Sequence, residues 1–205
     1  VTILKDLELG IGDEITVAKC NQIIPQIKDN LTRSNTCEIP SICPICGQPT
    51  SIVKENDSEV LMCDNPDCKG KLLGKLTHAV SRDALNVDGL SESTIEKFID
   101  LGWLNSIKDI YHLSEHEKEL KSLEGFGKKS VDKLLVSIEK SRLTSLKRFL
   151  SALSIPLLGK SASEIIADSL NYEFDDFIKV MLSDGAWHFT NISGIGDALI
   201  KSLDD

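Results

Sequence analysis

Four stretches of the chain share one pattern: VDGLSESTIEKFI (87–99), LEGFGKKSVDKLL (123–135), IPLLGKSASEIIA (155–167) and ISGIGDALIKSL (192–203). Each places an apolar residue before a glycine-containing turn, then small or polar residues, then a helix-forming run. Aligned on Gly89, Gly125, Leu157 and Gly194, the copies lie 36, 32 and 37 residues apart. An internal repeat of this length means one supersecondary unit used several times. The expected unit is a tight turn opening a helix. Glycines in such turns are expected at positive φ, leaving the backbone uncovered, and the first N–H groups of the next helix have no internal partner. A turn of this kind can hold a phosphate oxygen; its structural alternative is a glycine that only caps a helix.

The copies are unequal. The second has both glycines, Gly125 and Gly127, followed by Lys128 and Lys129. The first has Gly89 but Ser91 at the second glycine position. The third has Leu157 at the first position, then Gly159 and Lys160. The fourth has Gly194 and Gly196 but runs into Asp197. Phosphate contact is therefore expected most strongly at the second turn.

Upstream of the repeat, Cys43 and Cys46 are separated by two residues and Cys63 and Cys68 by four, at either end of a polar loop. Two knuckles at this spacing aim four thiolates at one point. That suits a tetrahedral Zn²⁺ with no open coordination position, a structural site rather than a catalytic one. Two local disulfides, or four unrelated core thiols, are the alternative. Cys20 and Cys37 fall outside the pattern, Cys20 as a strand residue and Cys37 as a linker thiol.

Apolar runs of only a few residues exclude a membrane span, and the absence of a cleavable leader pattern favours a reducing compartment. The formal charge of −9 argues against a uniformly basic surface, but the charge is uneven. Residues 128–148 hold seven basic groups against Asp132 and Glu139, whereas residues 164–205 hold two lysines against nine acids. A basic stretch can meet phosphate while the acidic tail faces elsewhere. The chain opens on Val1 in what reads as the middle of a pattern, so we expect an internal piece of a longer polypeptide. Gly12-Asp13 reads as a turn, Ile15 and Val17 as an alternating strand, and Pro25 as a strand-edge or bulge residue. These residues are too few to close a barrel alone.

Together CPICG, LMCDNPDCKG, HAVSRDALNVDGLSESTIEKFIDLGWL, LEGFGKKSVDKLLVSIEKSR, RFLSALSIPLLGKSA and ISGIG resemble the C-terminal half of bacterial NAD-dependent DNA ligases. GDEITVAKCNQIIPQI is similar to the end of their OB-fold domain. The resemblance implies a multidomain, mainly α chain: the end of an OB-fold β-unit at 1–36, a four-cysteine zinc finger at 37–72, and a helix-hairpin-helix domain with four repeats at 73–205. It implies Zn²⁺ on Cys43, Cys46, Cys63 and Cys68, and contacts to sequence-independent nicked duplex DNA from the hairpin turns. The parent enzyme would use NAD and Mg²⁺ bound outside this segment. The family's Lys-x-Asp-Gly nucleophile motif is absent, since Asn86-Val87-Asp88-Gly89 has asparagine where the lysine must stand. The segment is therefore expected to grip DNA but not to ligate alone, as a cytoplasmic, nucleoid-associated monomer joined to the rest of the ligase chain. The alternative is a non-catalytic DNA-repair scaffold built from the same zinc and hairpin modules.

Other candidates are weaker. His112 and His116 stand at i, i+4 without the His-Glu-x-x-His pattern. Trp103, Trp187 and Phe189 are expected mainly as core anchors rather than base-stacking platforms. Lys69, Lys71, Lys75 and Arg82 form either a solvated connector or a phosphate-contacting one.

Overall fold

A computed structural model describes residues 1–21, 23–55 and 58–204, with the side chain of residue 55 outside the description. The chain divides into two compact units, Val1–Gly70 and Lys71–Asp205.

In the first unit a short helix α1 (Thr2–Asp6) precedes two antiparallel pairs, β1 (Ile15–Cys20) with β2 (Ile24–Asn30) and β3 (Thr50–Glu55) with β4 (Ser58–Cys63). The β1–β2 register slips between Thr16 and Val17, and Pro25 faces Lys19 in this two-stranded sheet, where a residue without an N–H is tolerated. Asn30 is the buried anchor of the unit. Its amide nitrogen donates to the carbonyls of Leu7 and Glu8 at 2.9 and 3.1 Å and to Asp13 Oδ2 at 2.7 Å, tying the end of β2 to the segment before β1. The segment between the cysteine pairs, expected as a polar loop, is mostly the β3–β4 hairpin, in register from Thr50↔Cys63 to Glu55↔Ser58. The opposed aliphatic pairs Ile52↔Leu61 and Val53↔Val60 favour the ladder over coil.

The second unit is helical. Its elements are α2 (Lys69–Val80, beginning at the unit boundary), α3 (Glu92–Asp100), α4 (Ile107–Ile110), a 3₁₀ turn Leu113–His116, α5 (Glu117–Ser122), α6 (Lys128–Ser141), α7 (Leu146–Ala152), α8 (Lys160–Ser169), α9 (Phe174–Ser183), a second 3₁₀ turn Gly185–Phe189, and α10 (Asp197–Asp204). None is long and apolar enough to cross a membrane. Apolar residues at helical spacing build two cores. One gathers Leu76 and Val80 of α2, Ile95 and Phe98 of α3, and Val131, Leu134 and Ile138 of α6. The other gathers Leu146 and Leu150 of α7, Ile166 of α8, Phe189, and Leu199 and Ile200 of α10. Each fully buried side chain contributes roughly 1.5–3 kcal/mol. Repeats one and two thus share the first core, and repeats three and four the second.

Candidate metal centre and hairpin turns

The four expected thiol ligands converge. The sulfurs of Cys43, Cys46, Cys63 and Cys68 all lie within 4.8 Å of one another, with Cys43–Cys68 at 3.9 Å and Cys46–Cys63 at 3.4 Å. A tetrahedron with Zn–S bonds of about 2.3 Å has S···S edges of about 3.8 Å. A disulfide would need about 2.05 Å, and no cysteine is bridged. The donor set therefore fits a four-thiolate metal ion, with Cys43 and Cys68 buried and the other two half-buried.

Local backbone chemistry builds the pocket. In the first knuckle the Gly47 N–H donates to the Cys43 carbonyl at 2.9 Å, the Cys43 N–H to Gln48 O at 2.8 Å, and Gly47 takes φ +70° to close the turn. In the second, Asn65 Oδ1 accepts from the Asp67 N–H at 2.9 Å, and the Cys68 N–H reaches Asn65 O at 3.4 Å. N–H groups also point at sulfur. The Gln48 N–H draws the Cys46 thiol down to about 6, and those of Cys46 and Ile45 lower Cys43. Burial, with the neighbouring thiols, pushes Cys63 up to about 12. A bound dication reverses that last effect, because it removes the cost of placing several thiolates side by side.

The four turns of the second unit share one backbone course. Their third position takes positive φ: +96° at Gly89, +87° at Gly125, +67° at Leu157 and +92° at Gly194. In the last three, the fourth residue donates to the carbonyl of the first: Phe126 to Leu123 at 3.0 Å, Leu158 to Ile155 at 3.1 Å, and Ile195 to Ile192 at 3.0 Å. The fifth residue starts the helix, with Ser91, Gly127 and Gly159 standing as extended N-caps.

This corrects the expectation that both glycines take positive φ. Gly127 has φ −98° and Gly159 φ −79°, and Gly196 likewise lies outside the left-handed region. Nor does packing demand glycine there, since a Cβ at any of the three would meet nothing within 4 Å.

The turns differ in their surroundings. A Cβ at Gly89 would lie 3.5 Å from Leu134, and one at Gly194 would lie 2.8 Å from Ile165, so these turns pack on a neighbouring helix. Gly125 faces open space. Ser91 Oγ caps its own helix through the Thr94 N–H at 3.3 Å. At the second turn the Gly127 N–H is bound to Ser130 Oγ at 2.9 Å, while the Lys128 and Lys129 amides have no acceptor among the described residues. Neither lysine side chain has an ion-pair partner there, whereas Lys160 pairs with Asp83 at 3.2 Å.

Other expected residues resolve differently. His112 Nδ1 contacts Glu115 at 2.8 Å, and His116 stacks on Trp103 with centroids 4.5 Å apart; residues 113–116 form a 3₁₀ turn, so the two histidines do not share an α-helical face. Phe189 is buried, but Trp187 is 65% exposed and does not anchor the core. The expectation failed there because a short 3₁₀ turn gives no periodicity to read. One long-range arrangement had no sequence signal: Arg148 donates through Nε to Ala84 O at 2.8 Å and through Nη2 to Arg82 O at 2.5 Å, contacts that no local spacing reveals.

The geometry defines a compact four-thiol centre followed in sequence by a helical array of repeated glycine turns. A protein named DNA ligase from Lachnoclostridium phytofermentans is 45% identical over 203 residues, 99% of this chain and 30% of that protein. DNA ligases from Ruminiclostridium cellulolyticum and Thermosipho africanus are 42% and 34% identical, over 99% and 98% of this chain and 30% of each of those proteins. The chain is thus related, along nearly all its length, to one segment of the DNA ligases, and it spans about a third of the length of these relatives. No family-level sequence profile matches it.

Proposed function

We propose that this chain is the DNA-gripping portion of an NAD-dependent DNA ligase, with the end of an OB-fold domain at 1–36, a structural zinc finger at 37–72 and four helix-hairpin-helix repeats at 73–205. The observation that carries DNA contact is the second glycine of the turns. At Gly127 neither φ nor packing calls for glycine, yet its absent side chain leaves the Lys128 and Lys129 amides uncovered beside two lysines that have no ion-pair partner among the described residues. A phosphate oxygen needs that approach. Contacts through backbone N–H and lysine carry no base information, which suits sealing nicks at any sequence.

Zn²⁺ on Cys43, Cys46, Cys63 and Cys68 would lock the two knuckles and supply no reaction chemistry. NAD and Mg²⁺ would serve the remainder of the enzyme, whose lysine takes AMP, passes it to the 5′-phosphate of the nick and lets the 3′-hydroxyl displace it. The segment would work in the cytoplasm on nucleoid DNA, as part of a monomer. A non-catalytic repair scaffold is disfavoured by the similarity to DNA ligases.

The test is Gly127→Val with fluorescence-anisotropy binding to a nicked duplex at matched salt. The extended φ accepts a branched residue, so folding should cost no more than about 1 kcal/mol, the scale of an N-cap change, while binding weakens. Lys128→Ala and Lys129→Ala should each flatten the slope of log K against log salt by about 0.9 for every phosphate that the variant no longer neutralises, equally across DNA sequences. A folded Gly127→Val variant that binds as tightly as the parent would end the phosphate reading of this turn.

A further inference from the structure

Of the seven basic residues between 128 and 148, several are already engaged. Arg142 is held by Glu139 at 2.9 Å and lies over the Tyr111 ring at 4.6 Å, and Lys147 pairs with Glu164 at 2.9 Å. Arg148 is engaged differently. Both of its hydrogen bonds go to main-chain carbonyls, those of Ala84 and Arg82, so its guanidinium is fixed in place while its charge meets no carboxylate among the described residues. Such a cation is pre-organised and uncompensated. It lines a cavity of about 330 Å³ together with Asn86, Lys140, Ser141, Thr144 and Ser145, between the first turn and the α6–α7 connection. Lys140 is exposed and also has no ion-pair partner among the described residues. The Ser141 hydroxyl donates to Ile138 O at 2.7 Å, so the cavity offers two positive charges, the hydroxyls of Thr144 and Ser145 and the Asn86 side-chain amide. Two acids, Asp88 and Asp132, line an adjoining hollow that shares Lys140, while Asp83 and Glu139, close in sequence to the cavity's own residues, pair with Lys160 and Arg142.

We infer that this cavity is an oxyanion site that takes a phosphate group, separate from the four glycine turns. Guanidinium, ammonium and hydroxyl donors around one small space match a tetrahedral oxyanion, and a fixed arginine loses little entropy on binding it. The phosphate can come from a nucleic-acid backbone or from a free phosphorylated molecule.

The experiment follows backbone amides of the whole chain by NMR during titration with inorganic phosphate, and binding of a nicked duplex by anisotropy, for the parent and for Lys140→Glu. Lys140 is exposed, so this variant folds; Arg148→Ala would also remove two structural hydrogen bonds and is not the primary probe. Saturable phosphate shifts at Asn86, Thr144 and Ser145 that vanish in Lys140→Glu establish the site. A loss of duplex affinity of about tenfold in the same variant, with a flatter salt slope, assigns it to a backbone phosphate. Phosphate shifts with unchanged duplex affinity assign it to a free phosphorylated molecule. No saturable shift and no change in duplex binding would overturn the site. Because neither Gly127 nor any other residue of the second turn lines this cavity, failure here and failure of the turn reading are separately visible.

Discussion

Leu157 holds at φ +67° the backbone position that Gly125 holds at +87° one repeat earlier. A leucine in the left-handed region carries a steric cost of roughly 1–2 kcal/mol that glycine does not, and this side chain is 61% exposed, so burial returns little. Leu157→Gly should therefore stabilise the chain, by about 0.5–1 kcal/mol after glycine's larger unfolded-state entropy is subtracted. Gly125→Ala should destabilise by about 1 kcal/mol, through φ alone, since its Cβ would meet nothing. Urea denaturation of the two variants checks both signs.

Metal removal should act locally. Between residues 37 and 70 only Cys43 and Cys68 are buried among the described residues, too small a core to hold the two knuckles together. Chelation, or Cys46→Ser, should abolish hydrogen-exchange protection around residues 43–68 while the two cores of the helical unit stay protected. Metal analysis should find one zinc per folded chain. A folded chain that holds far less than one zinc and keeps its knuckles protected would contradict the structural-metal reading.

Asp13 supplies a pH dependence. Hydrogen bonds from the Ser34 hydroxyl, then Asn30, with backbone N–H groups of Gly10 and Ser34, outweigh desolvation and lower its carboxyl from 3.8 to about 2. A folded value below the unfolded one means that the stabilisation is present above pH about 4 and fades as pH falls toward 2. Glu59, Asp109, Glu117 and Glu164 are shifted in the same direction, so the comparison with Asp13→Asn isolates this group. The stability gap between the parent and Asp13→Asn should be open at pH 5 and closed near pH 2. A gap independent of pH would show that the carboxylate charge is not what the network uses.

Incubation with NAD⁺ and Mg²⁺ should leave the chain unmodified. Its nearest approach to the nucleotidyl-transfer motif, Asn86-Val87-Asp88-Gly89, lacks the lysine and lies in a structural turn where the Asp88 N–H donates to Ser137 Oγ at 2.8 Å. Intact-mass spectrometry showing an AMP adduct would overturn the division of labour proposed above.

The convergence of the four thiols and the four turns were legible in the sequence because both are local. Two residues between Cys43 and Cys46, a glycine at Gly47 and a repeat near 35 residues fix their geometry over distances that the backbone alone controls. The helices that open each repeat between residues 87 and 203 followed from the same pattern. Conformation inside each turn was not legible: Gly125 and Gly127 look equivalent in sequence, yet only the first takes positive φ, because a turn closed from Phe126 N–H to Leu123 O must bend at its third residue while the fifth runs extended into the helix. Pairing between repeats was decided by packing, which set Gly89 against Leu134 and Gly194 against Ile165 and left Gly125 open. The cation fixed at Arg148 belongs to the same class, since its partners lie more than sixty residues upstream. Sequence determines what short stretches of backbone can do, whereas burial against distant side chains determines which of the repeated turns remain accessible to a ligand.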